Sequence, residues 1–161
     1  MFDIENFLNL SSYVTNERKI RRNCRKKENG RTAEFFTPYS IVKRMCDKVS
    51  DEDWADQKKT FLEPSCGNFQ FILYIVWNRI QHGVDWKTAL KTCYGLDLMA
   101  DNIEEGKQRM HTMLSQICSD YNKASATRIM NKNFVCHDFF TWDFEEWRPM
   151  TEEEIKKAKK K

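Results

Sequence analysis

No apolar run in this 161-residue sequence approaches the roughly 20 residues that a membrane helix needs. The longest candidate, Phe69 to Trp77, is about half that length. The N-terminus lacks the basic-then-apolar order of a secretory signal. The six cysteines are widely spaced, with no C-x-x-C pair, so they read as free thiols of a reducing cytoplasm rather than disulfides or zinc ligands. His82, His111 and His137 show no metal-ligand spacing. Internal repeats and low-complexity linkers are also missing. These absences exclude a membrane span, a disulfide scaffold, a zinc module and a repeat array.

What is present fits a single packed domain. The 40% hydrophobic and 13% aromatic content argue for a globule with a sizeable core. The net charge of +3 hides a local asymmetry. Residues 18–31 carry eight cations against Glu28 alone. Among them Arg21, Arg22, Arg25, Lys26 and Lys27 are the candidate nucleic-acid contacts, because such a cluster attracts phosphate backbones or acidic proteins through salt-sensitive forces. The bland alternative is a solvated helix face. The lysines of the last six residues read as a solubilising tail.

The chain alternates helix and strand. Residues 2–10 read as a short amphipathic helix, and Asn29-Gly30 marks a turn after the basic stretch. Thr37 is a favourable N-cap and Pro38 suits the first helical position. Ile41, Val42, Met45, Cys46 and Val49 then recur at helical spacing. Residues 50–59 are polar and acidic and read as a surface loop. Strands are expected at 60–63, 93–98 and 133–138, separated by helices over 69–82, 85–91 and 100–119. Residues 120–131 are polar, and a helical turn can form there. Thr151 and Glu154 form a capping box for a final charged helix. This order predicts an α/β fold with a partial parallel sheet of about three strands flanked by helices. The expected organisation is a helical basic arm over 1–30, an α/β domain over 31–148 and a charged tail over 149–161.

The chemistry concentrates at strand ends. Leu62-Glu63-Pro64-Ser65-Cys66-Gly67-Asn68 carries an apolar strand through an acid, a proline and a glycine into a helix, as open α/β domains do when they build a cofactor loop. Asp97 and Asp138 end the second and third strands. In a parallel sheet those ends share one crevice. Gly67 lets backbone approach a ligand, and the helix N-terminus that follows favours an anion. An acid after the second strand sits where ribose hydroxyls are commonly held. Each acid alone is more often a turn former or helix cap, whereas three at the right topological places behind a Pro-x-x-Gly loop rarely coincide by chance. Cys66 lies near a helix N-terminus, which could lower its pKa, but no general base stands beside it in the sequence. Trp142, Phe144 and Trp147 follow the third strand, where core filling is the simpler reading and stacking on a ligand the sharper one.

Together, Phe36-Thr37-Pro38, Glu63-Pro64-Ser65-Cys66-Gly67-Asn68, Asp97 and His137-Asp138-Phe139 resemble the amino-group DNA methyltransferases of the adenine-N6 type, as found in bacterial and phage-encoded restriction-modification systems. The resemblance spans about residues 31–145 and implies a Rossmann-like methyltransferase fold that binds S-adenosylmethionine. It implies Phe36, Thr37 and Pro38 against the methionine part, and Glu63 to Asn68 as the cofactor loop with Glu63 near the amino group. Asp97 would hold the ribose hydroxyls, and Leu98 is a further cofactor-binding candidate. Asp138 would bind the adenine amine, with Phe139 near the ring.

Two departures matter. The family's second loop glycine is Phe69 here, whose ring must either clash with a cofactor or rotate into the core. The Asn/Asp-Pro-Pro-aromatic segment that grips the target amine is missing, and Arg148-Pro149-Met150 is no substitute. No catalytic residue is therefore assigned, and methyl transfer is not expected from this chain alone. With only three strands, the first strand has a bare edge, which predicts self-association or a protein partner that completes the sheet. DNA is a further expected partner. The competing reading is a non-enzymatic interaction module on a degenerate methyltransferase fold, such as a phage factor acting on host restriction in the host cytoplasm.

Overall fold

The computed structural model describes residues 1–12 and 37–159. Phe36 and the basic residues Arg21, Arg22, Arg25, Lys26 and Lys27 lie outside the described residues.

Three short strands make a parallel sheet: β1 (Phe61–Glu63), β2 (Cys93–Asp97) and β3 (Phe134–Cys136), in the spatial order β1-β2-β3. Leu62 lies opposite Tyr94, and Leu96 opposite Val135. Parallel neighbours need a crossover, and the chain supplies helices. Between β1 and β2 run α4 (Gln70–Gln81) and α5 (Trp86–Lys91), and between β2 and β3 run α6 (Ala100–Ile117) and α7 (Lys123–Asn133). Before the sheet come α1 (Ile4–Ser12), α2 (Tyr39–Cys46) and α3 (Asp51–Ala55). After it a two-stranded hairpin, β4 (Trp142–Asp143) with β5 (Arg148–Pro149), leads to α8 (Glu152–Ala158).

Local sequence explains most boundaries. Apolar residues surround nearly the whole of α4, which is accordingly central, with Ile72, Leu73 and Val76 fully buried. Gly83, at φ 83°, ends it in a Schellman motif: the Val84 N–H reaches the Arg79 carbonyl and the Gly83 N–H the Ile80 carbonyl, each at 3.1 Å. Asp85 caps α5 by accepting the Thr88 N–H at 3.0 Å. The capping box of Thr151 and Glu154 forms as the sequence predicts. The core also takes in Ile4 and Leu8 of α1.

The structure corrects three expectations. Thr37 does not cap α2; Pro38 occupies the cap position, extended at ψ 152°, and the helix starts at Tyr39. In that helix only Val42 and Cys46 are buried, while Ile41 and Met45 face outward. Residues 50–59 are not all loop. Ser50 accepts the Asp53 N–H at 3.1 Å and starts α3, whose Trp54 is buried and stacked on Phe61 at 5.1 Å. Residues 120–131 hold a full helix rather than a turn, because Asn122 caps it and Ala126 and Met130 reach the core.

The two faces of the sheet differ. A Cβ added to Gly95 would lie 2.5 Å from Ile72 Cδ1, so α4 covers that face closely. On the opposite face Tyr94 meets Trp147 edge-on at 4.9 Å, so the C-terminal hairpin covers β2. Leu62 of β1, which points to that same face by strand alternation, remains 48% exposed. Within the described residues β1 pairs only with β2. None of the described helices is long and apolar enough to cross a membrane.

Candidate cofactor site at the carboxyl edge of the sheet

Parallel pairing brings the ends of β1 and β2 together, with Glu63 opposite Gly95 and Asp97 two residues further on. The loop after β1 is tied to β2 by main-chain bonds. The Cys66 N–H donates to the Leu96 carbonyl at 2.9 Å, and the Gly67 N–H donates to Asp97 Oδ2 at 3.0 Å. Gly67 needs its residue type here, with φ at 49°.

Asp97 is nearly buried, at 9% exposure. Its other oxygen accepts the Met99 N–H at 2.8 Å and the Asn102 side-chain amide at 3.4 Å. One carboxylate thus fixes both the β1 loop and the start of α6. Three of its roughly four lone-pair positions are in use. Glu63 is partly buried, and burial raises its pKa, opposed by a bond from the Ser65 N–H at 3.2 Å. Asp138 is exposed and caps a 3-10 turn over Phe139–Thr141 by accepting the Phe140 N–H at 3.0 Å. The His137 N–H bonds the Asp97 carbonyl at 3.0 Å, which puts the start of that turn beside the end of β2. Leu98 and Phe139 are exposed, at 66% and 43%. Pro64 and Ser65 are exposed as well.

Cys66 is buried beneath the loop. Burial, reinforced by the negative charges of Asp97 and Glu63, pushes its pKa well above the ordinary thiol value. The helix N-terminus does not offset this, and burial disfavours the thiolate that a nucleophile would need. Among the described residues no group of three His, Cys, Asp or Glu side chains could hold a metal ion.

Phe69 resolves the sequence-level alternative about its ring. The ring is fully buried, 4.6 Å from Phe134, and a Cβ on Gly106 of α6 would meet it at 2.4 Å. It points into the core. The backbone nevertheless keeps a left-handed conformation, φ 75° and ψ 30°, that a glycine would adopt without strain.

A polar network that the sequence reading missed holds the loop from behind. Arg109 donates to the Asn68 carbonyl and to Gln70 Oε1, both at 2.7 Å. Gln70 Nε2 donates in turn to the Thr37 carbonyl at 2.9 Å and, at 3.4 Å, to that of Leu8. Asn68 Nδ2 bonds Glu105 at 3.2 Å. Thr37 and Pro38 are thereby brought beside the start of α4. Two terminal nitrogens of this buried arginine are held by carbonyl oxygens, and removing either acceptor is costly, so the loop is held firmly. The available signal was Gln70, a polar residue opening an apolar helix, and Arg109 on the same helical stripe as Met110 and Met113.

Comparison with known proteins identifies no relative: no family model matches the chain, and neither the curated proteins nor the solved structures give a significant match.

Proposed function

We propose that this chain is a methyltransferase-like protein that binds S-adenosylmethionine at the carboxyl edge of its sheet and does not transfer the methyl group on its own. The observation that carries the reading is the placement of Glu63 and Asp97 at the ends of adjacent parallel strands, with Asp138 just beyond the third. A ligand there would find the carboxylate and exposed loop of Glu63 to Ser65 at one end. It would find the exposed Leu98 and Phe139 near Asp138 at the other. A Rossmann-like methyltransferase fold agrees with the strand order. The position of Thr37 and Pro38, tied to the cofactor loop through Gln70, also supports the reading.

Asp97 sets a condition on binding. Two ribose hydroxyls need two free acceptor positions, and the carboxylate has about one. The Asn102 bond, at 3.4 Å the longest of the three, is the one to be released. Catalysis is a separate matter. The sequence holds three prolines, no two of them adjacent, so it contains no Pro-Pro-aromatic grip for an amine. Without that positioning the nucleophile is not aligned.

Isothermal titration with S-adenosylmethionine tests binding. Saturable heat that weakens in Asp138→Ala supports the reading, and no heat with no thermal shift at millimolar ligand overturns it. Methylation of adenine-rich DNA by the chain alone would contradict the catalytic half.

The bonds that already occupy Asp97 favour a second reading, an interaction module whose cofactor crevice serves only structure. It predicts salt-dependent DNA binding that is lost when Arg21, Arg22, Arg25, Lys26 and Lys27 are neutralised, with no response to the cofactor.

A further inference from the structure

The uncovered part of the second sheet face is a groove of about 310 Å³. Its walls include Leu62 of β1, Tyr94 of β2, and Phe144, Glu145 and Trp147 of the hairpin turn. It lies on the sheet face rather than at the carboxyl edge, and its Phe144 ring packs 5.0 Å from Phe139 next to Asp138. We propose that this groove binds an organic cation, the methylated ammonium group of a small molecule.

Three observations converge on that chemistry. First, the rings are arranged at angles to one another, as a cage requires. Tyr94 and Trp147 meet at 69° and 4.9 Å, and Phe144 and Trp147 at 60° and 6.3 Å. Ring faces carry partial negative charge and attract a poorly hydrated cation. Second, the one carboxylate in the lining is that of Glu145, and no lysine or arginine is among the residues that line the groove. Its neighbour Asp143 is already paired with Arg148 at 3.2 Å, whereas Glu145 forms no ion pair with any of the described residues. Third, the central ring is held in place at a backbone cost. Trp147 has φ 51°, a left-handed conformation that suits glycine or asparagine in such a turn. Its indole N–H donates to the Lys132 carbonyl at 2.8 Å, and Trp142 packs edge-on at 5.3 Å. A strained tryptophan braced from behind and open in front is a pre-organised binding wall.

The test uses the whole protein, choline chloride, and the neutral isostere 3,3-dimethylbutan-1-ol. The indole N–H signals of the five tryptophans are followed by NMR, with Trp147→Phe assigning the relevant one. Choline should shift the Trp147 signal saturably at millimolar concentration, with the isostere at least roughly ten-fold weaker, because charge is the only difference between them. Glu145→Gln, an exposed substitution that leaves the core untouched, should weaken choline roughly two- to five-fold. Equal affinity for the two probes would overturn the proposal. So would no saturable shift, or one confined to Trp54, Trp77 or Trp86. An unchanged choline affinity in Glu145→Gln would overturn the role given to its carboxylate.

Discussion

Phe69 shows how one position serves two incompatible demands. The turn into α4 requires a left-handed residue, which costs a non-glycine side chain about 1–2 kcal/mol. The space between α6 and β3 requires an aromatic ring, and losing one from a core costs about 3–5 kcal/mol. Packing outweighs backbone strain, so phenylalanine is retained. The signs then predict the order of truncations at this N-cap position. Phe69→Ala should lose about 3–5 kcal/mol, and Phe69→Gly about 1 kcal/mol less, because glycine adopts the left-handed conformation freely and is also the better N-cap residue. Urea unfolding of the three proteins checks this, and an alanine variant more stable than the glycine one would refute the backbone account.

Glu63 makes a prediction at the same scale. Burial raises its folded-state pKa, so the folded protein holds that proton more tightly than the unfolded chain. The resulting stability is complete below the unfolded pKa and is lost as pH rises through the folded value. Glu63→Gln, which cannot ionise, should therefore match the parent near pH 4 and exceed it in urea midpoint at pH 7. A difference of equal size at both pH values would show that the effect is not ionisation. The acids at strand ends were legible in the sequence because strand-end position and residue type suffice to find them. Their bonding was not. That Asp97 would spend its oxygens on Gly67, Met99 and Asn102 depends on how the loop folds back over β2.

The elements divide by how strongly their own sequence marks them. Helices with a full apolar stripe, such as α4 and α6, and sites with a cap, such as Asp85 and Thr151, are visible in the chain. The missed helices α3 and α7 bury only one and three residues, so no apolar periodicity announces them. Their caps, Ser50 and Asn122, were the readable signals. Arg79 further stabilises α3, donating to the Asp56 carbonyl at 2.6 Å and, at 3.4 Å, to that of Trp54, with its guanidinium 5.2 Å from the Phe61 ring centre. No local pattern shows such long-range pinning. Gly83 tests the element scale. A Cβ there meets nothing within 4 Å, so any cost of Gly83→Ala is backbone alone. The expected loss is about 1 kcal/mol in thermal or urea unfolding, and no loss would mean that the Schellman end of α4 does not need its positive φ.

Among the described residues, α4 packs closely on one face of the sheet at Gly95, and the hairpin covers part of the other. The parallel pairing of three strands was legible from the alternation of strands and helices. The hairpin that folds its tryptophans onto β2 was not, since its aromatic residues read equally well as core or as stacking surface. The edge of β1 and the exposed Leu62 leave room for a further strand or partner. Self-association through that edge would give a sedimentation coefficient that rises with protein concentration and reverts when Leu62 is replaced by lysine. A concentration-independent monomer would remove the idea.

The claim on which the functional account rests is that an adenosyl ligand sits against the carboxyl ends of β1, β2 and β3. Amide chemical shifts recorded during an S-adenosylmethionine titration test it most directly. The account predicts saturable shifts concentrated at Ser65, Gly67, Leu98 and Phe139, with the amides of α8 unmoved. Saturable shifts centred elsewhere, or none at millimolar ligand, would contradict it.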